Sequence, residues 1–387
     1  MTPASSELPD FALCETVGES VDRLLSAQVF MSGGAAELTT RNITKELYEA
    51  ARAKQGRPLS AFAARSLIER VKPRDAVILC AGFFDPPSMI DEADGPIGIA
   101  HLGRALCAML DAMPVFLTEV SNMGRMEALA RAAGLDFTDD AELARSTPFK
   151  ALIMPLPIDR ERAQAQASTC LDLVRPAAFI AVEKPSPSPR GTYHTGVGLD
   201  VTSVVGKVDS IVEEAKRRGI LTIGIGDGGN EVGMGQILDT ILEVIPTGKT
   251  IGTSLVTDIL VVSAIANWGA YGIEACLAAA LHMPEAIHTV ADERRVTEAA
   301  ARNGLIDPVT GMANGWVDGT PPICSESILE LLRQMVELRL LRRRRHSLAN
   351  FPRRWAERSK PDEVVAQWAK RLAADEARYF NEAKGRK

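Results

Sequence analysis

This chain of 387 residues has few of the features that mark a protein for export, a membrane or nucleic acid. Its six cysteines (Cys14, Cys80, Cys107, Cys170, Cys276 and Cys324) are widely scattered, with no Cys-x-x-Cys pair and no paired histidine spacing. That argues against a disulfide scaffold or a zinc-finger-type site and leaves reduced core thiols as the expectation. The N-terminus, Met-Thr-Pro-Ala-Ser-Ser-Glu-Leu-Pro-Asp, has neither a positive start followed by an apolar stretch nor an arginine-rich amphipathic pattern. A cytoplasmic address is therefore expected. No basic excess is present: the net charge is -6, which argues against nucleic acid as a partner. The locally basic run at 339–345, followed by Arg353 and Arg354, reads as the solvated face and end of a C-terminal helix. Residues 255–281 are apolar enough to resemble a membrane span, but Asp258, Asn267, Glu274 and a turn at Trp268-Gly269 interrupt them. A bilayer would resist those groups, so a buried strand and helix are expected, and no membrane partner. No internal repeat is evident, nor low complexity beyond a short Ser/Pro run at 186–189.

What is present is an ordinary globular composition, 46% hydrophobic and 24% charged, enough for one large core or two modest ones. Helical patterning covers 44–53 and 59–71. From residue 76 the pattern alternates: apolar runs at 76–84, 115–118, 151–155, 177–182 and 220–225 are separated mainly by stretches of helical period. Continuous apolar strands with helices between them indicate a mainly parallel sheet covered on both faces. The expected organisation is an N-terminal helical region packed on the core (1–70), an α/β domain that carries the chemistry (71–325) and C-terminal helices (326–387), read at 326–345 and 361–383. Those last helices could mediate homo-oligomer contacts, the expected assembly, or simply pack on the sheet.

The most informative stretch is Leu-Thr-Ile-Gly-Ile-Gly-Asp-Gly-Gly-Asn-Glu-Val-Gly-Met-Gly-Gln at 221–236, where an apolar run ends in six glycines around one aspartate, one asparagine and one glutamate. A strand followed by a helix at about 231–242 would put these glycines at a strand-to-helix turn. There, bare backbone N–H groups favour an anion. Asp227 and Glu231 add hard oxygen ligands, and a close carboxylate pair needs a cation or a proton between its members. The expectation is a metal-assisted site for a small anionic substrate. Gly224, Gly226 and Gly229 also satisfy G-x-G-x-x-G, but the acidic residue that a dinucleotide site needs about 20 positions later is not clearly placed.

Ligands of parallel sheets bind beyond the carboxyl ends of the strands. After 76–84 come Asp85-Pro86-Pro87 and then Asp91-Glu92-Ala93-Asp94-Gly95-Pro96; after 177–182 comes Glu183-Lys184-Pro185; after 220–225 comes the glycine loop. Three strands thus deliver acids to one rim. The Pro/Gly/Ser-rich segment 185–200, with Arg190, Tyr193 and His194, reads equally as a loop that closes over a ligand or as an irregular surface connection.

Several ordered pieces carry a family resemblance: Gly82-Phe83, Glu92-Ala93-Asp94-Gly95-Pro96-Ile97-Gly98, Val182-Glu183-Lys184-Pro185, Gly191-Thr192-Tyr193-His194, Gly198-Leu199-Asp200, Gly226-Asp227-Gly228-Gly229-Asn230-Glu231-Val232-Gly233-Met234-Gly235, Thr257-Asp258, Asn267-Trp268-Gly269 and Val317-Asp318-Gly319. Spanning roughly residues 75–335, they resemble the D-glutamate cyclase-like proteins. The resemblance implies a three-layer α/β/α sandwich and conversion of D-glutamate to 5-oxo-D-proline with loss of water, an acidic amino acid being the substrate. For that chemistry a divalent metal, Mg²⁺ or Mn²⁺, would be held by Glu183, Asp227 and Glu231 and would polarise the γ-carboxylate. The N–H groups of Gly228 and Gly229 would complete an oxyanion pocket. Glu92, Asp94 and His194 are candidates for general acid and base, Lys184 or Arg190 for the α-carboxylate, Asp258 for the ammonium, and Asn230 and Asn267 for further substrate contacts. Two other readings remain. Gly-Asp-Gly-Gly-Asn-Glu resembles the Mg²⁺-binding element of haloacid-dehalogenase-like phosphatases, although their nucleophilic Asp-x-Asp-x-Thr is missing, and the cleft could belong to a non-catalytic small-molecule sensor.

Overall fold

A computed structural model describes residues 8–29, 43–82, 84–86, 90–344 and 361–384. Phe83, Arg345, Arg353 and Arg354, each part of a pattern above, lie outside the described residues. Residues 8–336 of these form one unit. It opens with helices α1 (Phe11–Leu25), α2 (Ile43–Gln55) and α3 (Leu59–Arg70), followed by strand β1 (Ala76–Ala81), a two-stranded hairpin of β2 (Phe84–Asp85) and β3 (Ile90–Asp91), and α4 (Pro96–Leu110). β4 (Met113–Thr118), α5 (Met123–Ala133), β5 (Asp136–Phe137), α6 (Ala141–Ser146), β6 (Lys150–Pro155), α7 (Arg160–Val174) and β7 (Pro176–Val182) continue the alternation. Then come α8 (Val208–Arg217), β8 (Leu221–Gly226), α9 (Leu238–Val244), α10 (Gly248–Ile251), β9 (Ile259–Val262), α11 (Ala266–Leu281), α12 (Val290–Arg302) and α13 (Pro322–Arg344).

Seven strands form one parallel sheet in the order β5-β6-β4-β1-β7-β8-β9. Alternate side chains of each strand face opposite layers. Ile78, Cys80, Val115 and Phe179 join Cys170 and Leu171 of α7 and Val208 and Val212 of α8 in one core. On the other face α4 packs against α11, and α11 in turn against α1 and α3. This is the expected three-layer α/β/α sandwich. Burial on both faces explains why β1, β4, β8 and β9 read as unbroken apolar runs. The edge strand β9 is blunted by Gln55 of α2, which donates from Nε2 to Leu260 O at 2.7 Å and accepts from Leu260 N at 3.2 Å.

From β1 the chain works outward through β4 to β6, then returns to place β7 on the other side of β1. The topological switch point therefore lies between β1 and β7, and the crevice at their carboxyl ends is where such sheets hold ligands.

Three expectations need correction. β1 ends at Ala81 rather than residue 84, because the next residues turn into the hairpin. The helix expected from 231 begins only at Leu238, after a 3₁₀ turn at Met234–Ile237. The delay is steric: Gly224 of β8 lets the returning loop touch the strand, since a Cβ there would sit 2.0 Å from Val232 O. Finally, Trp268-Gly269 is no turn but the first turn of α11, so 255–281 is strand plus helix without that break. All six cysteines are free, and five are buried. No described helix is long and apolar enough to cross a membrane. The second unit runs from Glu337 and contains α14 (Pro361–Lys384), on which Val365, Trp368 and Leu372 form an exposed apolar stripe.

Candidate active site at the carboxyl rim of the sheet

The acids at the strand ends do converge. Carboxylate oxygens of Glu183, Asp227 and Glu231 lie within 4.8 Å of one another, and those of Asp94, Asp227 and Asp318 do the same, so Asp227 belongs to both groups. Glu183 follows β7 and Asp227 follows β8, side by side in the sheet. Asp94 and Glu92 come from the segment between β3 and α4. Asp318 was not among the candidate site residues: it arrives from a turn between α12 and α13, closed by Val317 N donating to Thr320 O and by Gly319 N donating to buried Asp307 at 2.8 Å.

Backbone conformation fixes each acid. Glu183 adopts φ 45° and Asp318 φ 48°, in the left-handed region where a non-glycine side chain is strained, a cost of order 1–3 kcal/mol that persists where surroundings impose it. The Glu183 turn is imposed by its own N–H donating to Ile225 O at 3.1 Å and by Val232 N donating to Lys184 O at 2.9 Å. Asp94 is held by three donors at the start of α11 and α4: Asn267 N and Ala266 N at 2.8 Å and Gly95 N at 3.0 Å. Gly95 has φ 89°, and any Cβ there would meet Val182 O at 2.8 Å, so the acidic segment can run this close to β7 only with glycine.

Burial is the first cause of every acid's shift; repulsion adds to it at Glu92, Glu183, Asp227 and Asp318, while hydrogen bonds oppose it at Asp94 and Glu231. Glu92, Glu183, Asp227 and Asp318 are pushed well above the usual carboxylate range, Glu183 by the charges of Asp227 and Glu231, Asp227 by those of Asp318 and Asp94. Glu231 is raised too, and Asp94 reaches about 6. Among the described residues no lysine or arginine is ion-paired with any of the six. Glu183 Oε2 is buried without a hydrogen-bond partner. An all-oxygen, uncompensated donor set with an orphaned carboxylate oxygen fits a hard divalent cation of the Mg²⁺ or Mn²⁺ kind.

Other candidates take different places. The N–H groups of Gly228 and Gly229 donate to Glu231 Oε1 and Oε2 at 2.8 and 2.7 Å. The expected oxyanion pocket is thus filled by the protein's own carboxylate, which those donors hold in position. Lys184 is 1% exposed and donates to Glu119 Oε1 at 2.6 Å and Gly82 O at 3.1 Å, a buried ion pair in place of a substrate cation. Asp258 precedes β9 and accepts from Thr222 N and Oγ1 at 2.8 Å, at the amino end of the sheet. That end lies about 13 Å from the rim at ~3.3 Å per strand residue, too far to meet the ammonium. Asn267 is 1% exposed; its Oδ1 accepts from Gly95 N and Gly98 N at 2.9 and 2.6 Å and its Nδ2 donates to Ala93 O at 3.2 Å, so its amide is engaged with the backbone on either side of Asp94. Asn230 Nδ2 donates to His194 O at 2.8 Å, which pins the 185–200 segment to the glycine loop. Arg190 is exposed on that segment.

A profile of the family described as D-glutamate cyclase-like, C-terminal matches residues 34–333. The chain belongs to this family. Human mitochondrial D-glutamate cyclase is 24% identical over 183 residues, covering 41% of this chain and 29% of the relative. The chain thus spans less than a third of the curated relative it matches. Membership supports a lyase kind of activity in amino-acid chemistry.

Proposed function

We propose that the rim closes an acidic amino acid into its lactam with loss of water, D-glutamate to 5-oxo-D-proline being the reaction suggested by the family. The observation that carries this reading is the convergence at the switch point of six carboxylates, four buried and two (Asp227 and Asp318) half-buried, with no cationic side chain ion-paired to them. Such a site favours ligands that bring positive charge, here a divalent cation and an ammonium group.

In the reaction the amine nitrogen bonds to Cδ, one Cδ–O bond breaks, and the two protons lost by the ammonium leave with that oxygen as water. Glu183, Asp227 and Glu231 would hold the cation, which when bound polarises the γ-carboxylate. Glu92 and Asp94, next to Asp227, face the ammonium and accept its protons; His194 is a further proton carrier from the pinned segment. Asp318 completes the acidic wall. Arg190 remains the cation for the α-carboxylate, since Lys184 is committed to Glu119.

The test is mass analysis of D- and L-glutamate incubated with the protein, with and without Mn²⁺ or Mg²⁺, alongside a phosphomonoester panel. Loss of one water from D-glutamate supports the reading. Phosphate release instead points to a metal-dependent phosphohydrolase. Turnover of neither by folded, cation-loaded protein ends the cyclase reading and leaves a binding role.

A further inference from the structure

Deeper in the same helical layer lies a second cluster of a different kind. His101 on α4 and His288 just before α12 stack with ring centroids 3.8 Å apart and planes at 12°, and both side chains are fully buried. Glu293 on α12 faces both rings: its Oε2 is 3.1 Å from His101 Nε2 and 3.6 Å from His288 Nε2. Neither approach makes a hydrogen bond. His101 Nδ1 and Nε2 and His288 Nε2 are buried polar atoms without a partner. In a core, an unanswered imidazole nitrogen aimed at a carboxylate oxygen calls for something between them.

The other contacts of these residues suggest what. His288 Nδ1 pairs with Glu274 Oε2 at 2.6 Å, and Glu274 Oε1 accepts from His288 N at 2.7 Å. Tyr271 Oη donates to Glu293 Oε2 at 2.9 Å. A carboxylate on Nδ1 that leaves Nε2 free is the arrangement that orients a metal-ligating histidine. Glu274 and Glu293 set two carboxylates against these two imidazoles in the core, a donor set that a divalent cation would balance.

We propose that His101, His288 and Glu293 form a second cation site, independent of the rim, that takes a divalent transition metal of the zinc class through Nε2, Nε2 and Oε2. Imidazole and carboxylate ligands suit zinc, whose bonds of about 2.0–2.2 Å in tetrahedral geometry separate neighbouring ligand atoms by about 3.3 Å. The Glu293 distances already bracket that value. Closing on the ion opens the two rings out of their parallel stack. The site would join α4, α11 and α12, and α4 and α11 are the helices whose first turns hold Asp94 and Asn267. Its role is therefore to fasten the frame of the rim.

The experiment uses the full chain, purified after growth with added zinc and washed with Mg²⁺. Metal content by mass spectrometry is expected to show about one zinc per chain. Asp227→Asn keeps it and His101→Gln loses it, while Glu274→Gln, which spares all three ligands, weakens zinc affinity about 10–100-fold. Replacement with Co²⁺ is expected to give the strong visible bands of tetrahedral cobalt, which an all-oxygen rim does not produce. If the variants fail to fold, the wild-type cobalt spectrum decides. Folded wild type that retains no zinc and gives no tetrahedral cobalt bands overturns the proposal and leaves an imidazolium–carboxylate network.

Discussion

The acids of the rim and the acids of the scaffold are the same residue types under opposite treatment. Asp258 at the amino end of β9 is met by a backbone N–H and a hydroxyl of Thr222. Asp22 on α1 accepts from Leu59 N at 2.5 Å and Ser60 N at 3.2 Å, and Glu119 is answered by Lys184 and by Gly206 N at 2.7 Å. At the rim, Asp227 is crowded by Glu183 and Glu231 on one side and by Asp94 and Asp318 on the other, and Glu183 keeps an orphaned oxygen. Each of these scaffold acids is met by donors or a cation, whereas the crowded Asp227 and the orphaned oxygen of Glu183 are left to a ligand, at the expense of stability.

Five changes would break or sharpen this contrast. The largest effect is expected from Asp227→Asn, common to both acid groups: turnover should fall about 10³-fold or more with the fold intact, as read by steady-state kinetics and circular dichroism. Lys184→Met strands Glu119 in the core and should cost about 3–5 kcal/mol of stability in urea unfolding. A substrate-binding lysine would instead raise KM with little change in stability.

Asp22 tests how well a scaffold acid is satisfied. Burial raises its carboxyl to about 6 against an ordinary value of 3.8, so the folded state holds its proton more tightly than the unfolded state. Its contribution is most favourable below pH 4 and is lost as pH rises through 6. Relative to Asp22→Asn, wild-type stability should therefore decline by about 2 kcal/mol between pH 4 and 7. A flat difference across that window would contradict it. Smaller still, Glu183→Gln should stabilise the cation-free protein by about 1–2 kcal/mol in melts with chelator, because it removes one charge from a repelling set. Asp258→Ala should cost about 1 kcal/mol and leave kcat/KM within about twofold, since its bonds serve only the sheet.

Much of this was legible in sequence for definite reasons. Strands buried on both faces read as apolar runs, and acids directly after β7 and β8 had to reach the carboxyl rim, so Glu183 and Asp227 were found together. Asp258 was misassigned to the ammonium, although it stands before its strand and therefore belongs to the opposite end. The Glu231 clamp on Gly228 and Gly229 is a local contact over two and three residues, but the glycine cluster read more simply as an open anion nest. Asp318, by contrast, follows no sheet strand, and only the tertiary fold brings it beside Asp94. The pairing of Lys184 with Glu119, 65 residues apart, and the meeting of His101 with His288 depend equally on helix and strand packing.

Titration of cation-free protein with Mn²⁺, followed by calorimetry in parallel for wild type and Asp227→Asn, tests the reserved rim most directly. The account predicts saturable binding by the wild type and its loss in the folded variant. Wild type that binds no Mn²⁺, or a variant that binds it equally well, would contradict it.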